Sequence, residues 1–498
     1  MRYVVATLTG VATVAAFAPL SWSMIGVAAT AVLFYLWLDC SPKQGAMVGF
    51  LYGLGLFGAG VSWVYVSLHD FGGMPVALAV ITVCLFVLIL AAFPAAVGWG
   101  QARWFRPGLL RAVVVVPALW LIAEWMRGWV LSGFPWLALG YTQVGHALAG
   151  FAPVAGVYAV SAAVALAAGA LAALARAPRL VPLAAAALIA AGLWAAGIGL
   201  SKLEWVKPLG PAKPVTLVQG NVPLLVKWSS VERPKVLEIY RTLSRNSNSQ
   251  LVIWPEAAIP YYVDELSPEF WQWLRAQSAD FVFGVLERRP ESGTTAYYNS
   301  VLAVSERTSV YRKVHLVPFG EYLPFASLLG WLLDYLHIPM SDFSSWTGPQ
   351  KLPHAAGIAL GITVCYEDAF PTEVRKALPD AALLVNVSED AWFGDSLAPH
   401  QRLQMARMRA LEGGRPMLRA ANTGPSAIID HRGRITHQSA QFVATKLEGE
   451  VQPMSGATPY VRFGDGPILA LAFGLVVLGL VVCGPRRGSD QEQRRQSQ

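Results

Sequence analysis

Cys365 closes the apolar run Gly361-Ile362-Thr363-Val364 and is followed at once by Tyr366-Glu367-Asp368. The other three cysteines, Cys40, Cys84 and Cys483, lie within or at the edges of hydrophobic spans. Cys365 is therefore the only thiol in the long polar part of the chain and cannot be half of a disulfide within its own domain. A lone thiol at a strand-like end, beside carboxylates, is a candidate nucleophile. Its chemistry depends on what activates it, because an unperturbed thiol, with a pKa of about 8.5, is mostly protonated at neutral pH. Two other segments bring groups of the matching kind. Leu251-Val252-Ile253-Trp254-Pro255-Glu256 reads as a buried strand that delivers a carboxylate at its C-terminal end, and Val310 to Glu321 carries Lys313 and then a second carboxylate, Glu321.

The elements that must hold these groups are of two kinds. At 55% hydrophobic and 14% charged residues over 498 positions, the chain falls well below the roughly 25% charge of soluble domains. Residues 1 to about 200 and 464–484 hold almost all the long apolar stretches, whereas 202–463 reads as a globular segment, long enough for a single α/β domain. Windows of about 20 apolar residues give eight candidate spans, near 3–20, 22–38, 45–67, 75–99, 110–126, 146–175, 180–200 and 465–484. The first resembles a signal peptide, with Arg2 as its basic start and Ala16-Phe17-Ala18 as a cleavage-like site. Seven further spans make cleavage unnecessary, so it is expected as an uncleaved helix that turns back through Pro19 to Trp22. Glu124 and Arg127 interrupt the end of the fifth span, either as a functional pair at a membrane face or as a local ion pair.

The formal charge of +7 does not point to nucleic acid, because the basic residues form no stripe interleaved with aromatics. Many flank the apolar spans instead. Arg103, Arg106 and Arg111 fall between spans four and five, Arg176 and Arg179 between six and seven, and Arg486 and Arg487 after the eighth. Arg2 and Lys43 fall on the same side by alternation, and the other side offers mainly Arg127, Lys202 and Lys207. The positive-inside rule then predicts both termini in the cytoplasm. Seven spans before residue 202 put the polar domain outside it.

Within that domain, strand-like runs at Val215–Gln219, Leu251–Trp254, Phe281–Leu286, Ser300–Val304, Ala359–Val364, Ala382–Val387 and Ala427–Ile429 alternate with helical patterns. The helices are expected at Val231–Arg245, Pro268–Gln277 and Gln401–Glu412, with Ser267 as a cap and Pro268 in the first turn. This alternation argues for an α/β domain. No repeat, metal-spaced cluster, phosphate loop or dinucleotide fingerprint is present, so no metal or cofactor is expected. The aromatics Trp125, Trp129, Phe134, Trp136 and Tyr141 after span five suit an interfacial belt or a lipid-substrate wall. The stretch Gly320 to Gly348, with Leu328, Leu329, Trp331, Leu332, Leu333 and Tyr335, is unusually apolar for this domain and reads as core helix or as a lipid-contacting arm.

The ordered segments W-P-E, Y-R-K-x-H-L-V-P-F-G-E and V-C-Y-E resemble the carbon–nitrogen hydrolase (nitrilase) superfamily. With apolar spans on both sides, essentially the full length resembles its membrane-embedded apolipoprotein N-acyltransferase family. The resemblance implies a multi-span α-helical membrane domain (1–201), an α/β nitrilase-like αββα sandwich (202–463) that is extracytoplasmic, an eighth span (464–485) and a basic cytoplasmic tail (486–498). It implies a Glu–Lys–Cys triad of Glu256, Lys313 and Cys365. Lys313 would favour the thiolate and, with backbone N–H groups, stabilise an oxyanion. Glu256 would serve as base and then acid.

The implied reaction is a ping-pong transfer at the bacterial inner membrane. A phospholipid acyl donor, with phosphatidylethanolamine the expected one, acylates Cys365 as a thioester, and the α-amine of a diacylated apolipoprotein takes the chain. A membrane-tethered amidase using water, or a non-catalytic membrane-anchored binding protein, are the alternatives. Glu321 and Glu367 resemble the family's additional active-site carboxylates, against the plainer reading of solvated or structural acids. Tyr366 matches a position beside the acyl pocket, or is a packing residue. Trp228, Tyr322 and Trp392 stand as lipid-entrance or core aromatics. His315 and His400 are read as structural, because Lys313 and Glu256 already supply cation and base. One departure stands out: in Asn386-Val387-Ser388-Glu389-Asp390-Ala391-Trp392, the family more usually has asparagine where this chain has Glu389. An extra unscreened charge there would raise the thiol's pKa.

Overall fold

The computed structural model describes residues 1–176, 180–291, 293–322 and 342–484. Most of the apolar arm, residues 323–341, and the basic tail lie outside the described residues, as does Arg179.

Helices occupy each of the eight apolar stretches: Arg2–Val14, Ser23–Trp37, Pro42–Gly60 continued by Trp63–Val66, Val76–Trp104, Val116–Arg127, Ala152–Arg176, Leu180–Ser201 and Gly466–Cys483. Among the described residues, Val76–Trp104, Ala147–Arg176 and Gly466–Cys483 are long and apolar enough to cross a membrane, and Pro42–Gly60 with Trp63–Phe71 makes a fourth if that pair, bent by 49°, is one span. The first helix is shorter than the apolar run that predicts it. It stops at Val14 because the chain folds back there, with the Trp22 N–H donating to the Ala15 carbonyl at 3.0 Å. Glycines let the Pro42–Gly60 helix seat closely on its neighbour. A Cβ on Gly45 or Gly49 would come within 2.2 Å of the Gly98 or Pro94 carbonyl oxygen of Val76–Trp104, the close backbone approach that small residues at every fourth position permit.

One end of this bundle gathers basic groups. Arg176 pairs with Asp39 at 2.7 Å, Arg111 donates to the Leu38 carbonyl, the Arg106 N–H donates to the Cys483 carbonyl at 2.7 Å, and Arg2 reaches the Cys40 sulfur at 3.6 Å. The polar half of the chain packs against other parts of the bundle.

That half is a sandwich of two sheets. In the first, Thr445–Val451, Lys213–Gln219, Leu251–Ile253, Asp280–Glu291, Thr294–Val304 and Thr308–Arg312 lie in that order, with Ile259–Tyr262 pairing off Asp280–Glu291. The second runs Ile435–Gln438, Ala427–Ile429, Met417–Ala421, Leu383–Ser388, Ile358–Val364 and His354–Ala355. Strand alternation decides which side chains face which layer. Leu251 and Ile253 join Val215, Leu360, Ile362, Val385 and Leu418 between the sheets, while Val252 turns outward to Val236, Tyr240 and Phe270 of the helices Arg233–Ser244 and Pro268–Arg275. Leu384, Met417 and Ile429 face the helix Leu397–Gly413 on the opposite outside. The layers are therefore α-β-β-α, the carbon–nitrogen hydrolase arrangement that the resemblance implies.

Every strand and helix expected in this half is present; Asp280–Glu291, Thr294–Val304 and Leu397–Gly413 run longer than expected, and Arg233–Ser244 and Pro268–Arg275 shorter. Met417–Ala421 was not anticipated, because Arg419 sits mid-run. The structure buries that arginine completely and pairs it with Asp390 at 2.6 Å, so the charge does not break the strand. Thr445–Val451 was missed because its outward positions, Lys446, Glu448 and Glu450, are polar.

The helix Leu397–Gly413 joins the two halves. It looks half-polar, yet Gln401, Gln404, Arg409 and Glu412 are all buried. Gln401 Oε1 accepts from Trp136 Nε1 at 2.6 Å and from Trp63 Nε1 at 3.3 Å. Glu412 accepts from the Val157 N–H at 2.6 Å, and Gln404 from the Ala18 N–H at 3.1 Å. Its polar face is thus a docking face for the helical bundle.

Candidate active site

The strand Ile358–Val364 ends directly at Cys365, whose φ of +51° throws the chain into a short turn, Cys365–Ala369. A non-glycine residue there costs about 1–3 kcal/mol and persists only when the surroundings enforce it. Here they do: Asn386 Nδ2 donates to the Cys365 carbonyl at 3.2 Å, and the Val364 N–H donates to Glu367 Oε2 at 2.7 Å. Glu256 follows the strand Leu251–Ile253 in the other sheet, and Gly284 on the neighbouring strand lets it approach. A Cβ at 284 would lie 2.6 Å from Glu256 Cα. Lys313 directly follows the strand Thr308–Arg312.

These strand ends bring Glu256 and Lys313 together, with Cys365 near enough for both charges to act on it. Lys313 Nζ lies 2.7 Å from Glu321 Oε1 and 3.6 Å from Glu256 Oε1. Asn299 Nδ2 donates to both carboxylates, at 2.7 Å to Glu256 and 3.2 Å to Glu321. The second oxygen of Glu256 accepts the Glu389 N–H at 2.8 Å, and that of Glu321 the Val317 N–H at 2.8 Å. The Cys365, Glu256 and Lys313 side chains are all at least nine-tenths buried. Burial alone would lower the ammonium's pKa, but Glu321, then Glu256, override it and hold Lys313 charged, above the usual lysine range.

Lys313 is not the only influence on the thiol. Burial pushes Cys365 up to about 12; Arg402 and Lys313 oppose this, while Glu256 and Asp390 add to it. Burial thus outweighs the two cations and favours the protonated thiol.

Glu367 is fully buried. Its Oε1 accepts the Val314 and His315 N–H groups at 2.7 and 3.1 Å, and its Oε2 the Tyr311 hydroxyl at 3.0 Å and the Val364 N–H. Burial raises its pKa to about 7, with Lys313 and those backbone donors pulling the other way. With its oxygens spent, Glu367 cross-links the cysteine turn to the lysine loop. Glu321 touches the lysine directly.

Tyr366 does not hang free beside Cys365. Its hydroxyl donates to the Gly133 carbonyl at 3.0 Å and its ring stacks on Trp136 at 6.2 Å, so it plugs the cysteine turn into the loop after Val116–Arg127. That loop is held by the two ionisable residues that the sequence left open. Glu124 accepts the Leu139 N–H at 2.9 Å, and Arg127 donates to the Phe134 carbonyl at 2.8 Å and to the Trp136 carbonyl. They make no ion pair with each other, and brace the loop instead. Of its aromatics, Trp136 and Tyr141 are core, and Trp129 is exposed.

Trp392 is half-buried, and its carbonyl accepts from Ser67 Oγ at 2.8 Å. Trp228 is half-buried directly after Lys227, and Tyr322, also half-buried, closes a tight turn through its carbonyl to the Phe319 N–H. His315 stacks on Phe370 at 3.7 Å. Burial lowers the pKa of both His315 and His400, and neither bonds the thiol.

Glu389 resolves the departure from the family pattern. Its carboxylate forms a buried ion pair with Lys227 and accepts from Asn422 Nδ2 at 2.9 Å. Lys227 Nζ also donates to the Glu256 carbonyl at 3.3 Å. The extra negative charge is thus neutralised where it arises, and pair and backbone together brace Glu256. Breaking such a pair from one side typically costs about 3–5 kcal/mol, because the other charge stays buried.

Sequence reasoning missed Asn299, Lys227 and Arg402. Arg402 Nη1 lies 3.4 Å from the Cys365 sulfur. The expected signal, a cation near the thiol, was assigned wholly to Lys313.

Known proteins match nearly the whole chain. The family model for the apolipoprotein N-acyltransferase N-terminal domain matches residues 9–170, and that for carbon-nitrogen hydrolase matches 215–460. An apolipoprotein N-acyltransferase of Methylococcus capsulatus is 42% identical, covering 97% of this chain and 96% of its own. Those of Nitrosomonas europaea and Pseudomonas syringae pv. tomato are 43% and 39% identical, covering 96% and 95% of this chain and 96% of each relative.

Proposed function

The chain belongs to the apolipoprotein N-acyltransferase family, and from that premise we propose that it moves an acyl chain from a phospholipid, through a thioester on Cys365, to the N-terminal amine of a diacylated apolipoprotein. The observation that carries this reading is that Glu256 and Lys313 lie 3.6 Å apart with their charges bearing on Cys365, from three separate strand ends, and that Tyr366 ties the cysteine turn to the loop after the helix Val116–Arg127. Phosphatidylethanolamine is the donor we expect.

In the first half-reaction Glu256 takes the thiol proton as the sulfur attacks the ester carbonyl. Lys313, held charged by Glu321, faces the oxyanion that forms. Collapse breaks the carbon–oxygen bond, and the proton on Glu256 goes to the glycerol oxygen as lysophospholipid leaves. In the second, the amine attacks the thioester carbonyl and Glu256 takes an amine proton. The carbon–sulfur bond breaks, and the sulfur recovers a proton from Glu256. One carboxylate serves both halves, and no cofactor enters.

The test is intact-mass spectrometry of the full chain in detergent with phosphatidylethanolamine. An acyl-sized, hydroxylamine-labile adduct should form and vanish on addition of a diacylated peptide, which gains the chain. No adduct under active conditions overturns the reading. An adduct lost only to water favours the amidase-type alternative.

We further propose that residues 1–201 and 464–485 span the bacterial inner membrane, with 202–463 as the catalytic domain on its periplasmic side and both termini, including the 486–498 tail, in the cytoplasm. Support comes from the basic groups at one end of the bundle, Arg2, Arg106, Arg111 and Arg176, and from the exposed Leu85, Leu88, Ile89, Phe473, Val477 and Val481 along the helices. Both substrates are lipid-anchored, so such a site would meet them by lateral diffusion. In spheroplasts of a Cys84→Ala background, an impermeant maleimide should label Ala212→Cys directly and Gly108→Cys only after permeabilisation. The reverse pattern would invert the topology.

A further inference from the structure

The cation in contact with the candidate nucleophile is an arginine from the opposite face of the second sheet. Arg402 lies in the helix Leu397–Gly413 and is 1% exposed. Its Nη1 is 3.4 Å from Cys365 Sγ, 2.6 Å from Ser388 Oγ and 2.7 Å from Asp390 Oδ1, and its Nη2 is 3.3 Å from Asp368 Oδ1. Asp390 is shared with Arg419 at 2.6 Å. Lys313, by contrast, spends its ammonium on Glu321 and Glu256.

We propose that Arg402 is a catalytic residue, a fixed donor to the Cys365 sulfur that stabilises the thiolate at the two moments the sulfur carries charge. Those moments are as the S–H proton passes to Glu256 before the carbon–sulfur bond forms, and as that bond breaks and the electron pair returns to sulfur. A guanidinium is suited to this because it stays charged when buried and presents several donors in one plane. A neutral thiol is a poor acceptor and a thiolate a good one, so the contact strengthens as charge develops, which is the condition for lowering a barrier. The charged groups that bear on the sulfur are Arg402 from the helix, Asp390 from the loop after Leu383–Ser388, Glu256 from the loop after Leu251–Ile253, and Lys313 from the loop after Thr308–Arg312. Burial dominates the thiol's high pKa, and Arg402 is the largest influence opposing it, ahead of Lys313. The plainer alternative is that Arg402 only ties the helix to the sheet through Asp368 and Asp390.

The proposal rests on Cys365 being the acylated residue, and its test separates the two ideas. Alkylation of Cys365 by iodoacetamide in the full chain, followed by peptide mass spectrometry from pH 7 to 10, needs no lipid and reads thiolate stability directly. In the unsubstituted protein the rate should rise about tenfold per pH unit without a plateau, as for a thiol far below its pKa. Arg402→Met paired with Asp368→Asn removes one charge of each sign and leaves Asp390 to Arg419. Its rates should lie about 10- to 100-fold below those of Asp368→Asn alone, the range for a lost hydrogen bond to a charged group. Coincident rates in a folded pair variant would overturn the role. Should the pair variant fail to unfold cooperatively, Arg402→Lys decides, with an expected displacement of several-fold, because one ammonium cannot serve the sulfur and both aspartates. Rates equal to the unsubstituted protein's would again overturn it. If the unsubstituted protein alkylates as expected but forms no acyl adduct, the acyl-transfer reading fails and the Arg402 comparison still stands.

Discussion

Cys365→Ala should abolish acyl transfer, with turnover falling on the order of 10⁶-fold, the scale on which removing a nucleophile acts in acyl-transfer enzymes. The loss should come without loss of fold. The side chain is small and sits at the edge of the apolar layer between the sheets, where a buried cysteine behaves as a small hydrophobe. The turn at residue 365 is held by the Asn386 and Glu367 contacts to backbone atoms, which alanine leaves in place. The decisive measurement is intact mass after incubation with phosphatidylethanolamine, alongside thermal unfolding of the same sample. An acyl adduct of undiminished yield in the variant would remove Cys365 from the mechanism.

Glu256→Gln should lower transfer about 10²- to 10⁴-fold, the range general base catalysis supplies. The effect is expected near the top of that range, because burial holds the thiol at about 12 and leaves almost no thiolate to react unaided. Both half-reactions should slow together, since the same carboxylate takes the proton from sulfur and later from the amine. Part of the loss is geometric. Both oxygens of Glu256 accept hydrogen bonds, from Asn299 Nδ2 and from the Glu389 N–H. The glutamine amide must turn its NH₂ toward one of these donors and lose that contact, worth about 1–3 kcal/mol when a buried group is left unpaired. Single-turnover measurement separates the halves by following adduct formation without peptide, then decay of a preformed adduct with it. Near-normal transfer in both would show that another group is the base.

Much of the catalytic half was legible before folding. Leu251–Ile253 and Ile358–Val364 are unbroken apolar runs because strands between two layers are wetted on neither face. The reactive groups follow directly at their ends, where a short motif can carry them. What escaped were residues whose meaning lies in a distant partner. Glu389 looked like a stray negative charge because Lys227 is 162 positions away. The strand Met417–Ala421 escaped because Arg419, mid-run, finds its partner Asp390 29 positions away. Gln401–Glu412 looked amphipathic in the ordinary sense, and nothing local says that its polar face meets tryptophans of the bundle rather than water.

The sequence by itself determined the kind of chemistry and the materials for it. One thiol, one lysine and the carboxylates lie at the ends of apolar runs, in a chain whose composition demands a second, helical half. Local pattern suffices for that, because burial periodicity and motif spacing are properties of consecutive residues. Only the tertiary structure decided the charge on each of them. A buried group's ionisation is set by its desolvation and by the charges within a few ångströms, and here those come from other elements: Arg402 on Cys365, Glu321 on Lys313, Lys227 on Glu389. Lys313 by itself would favour the thiolate; once the chain is folded, burial outweighs both Lys313 and Arg402 and holds the thiol's pKa up.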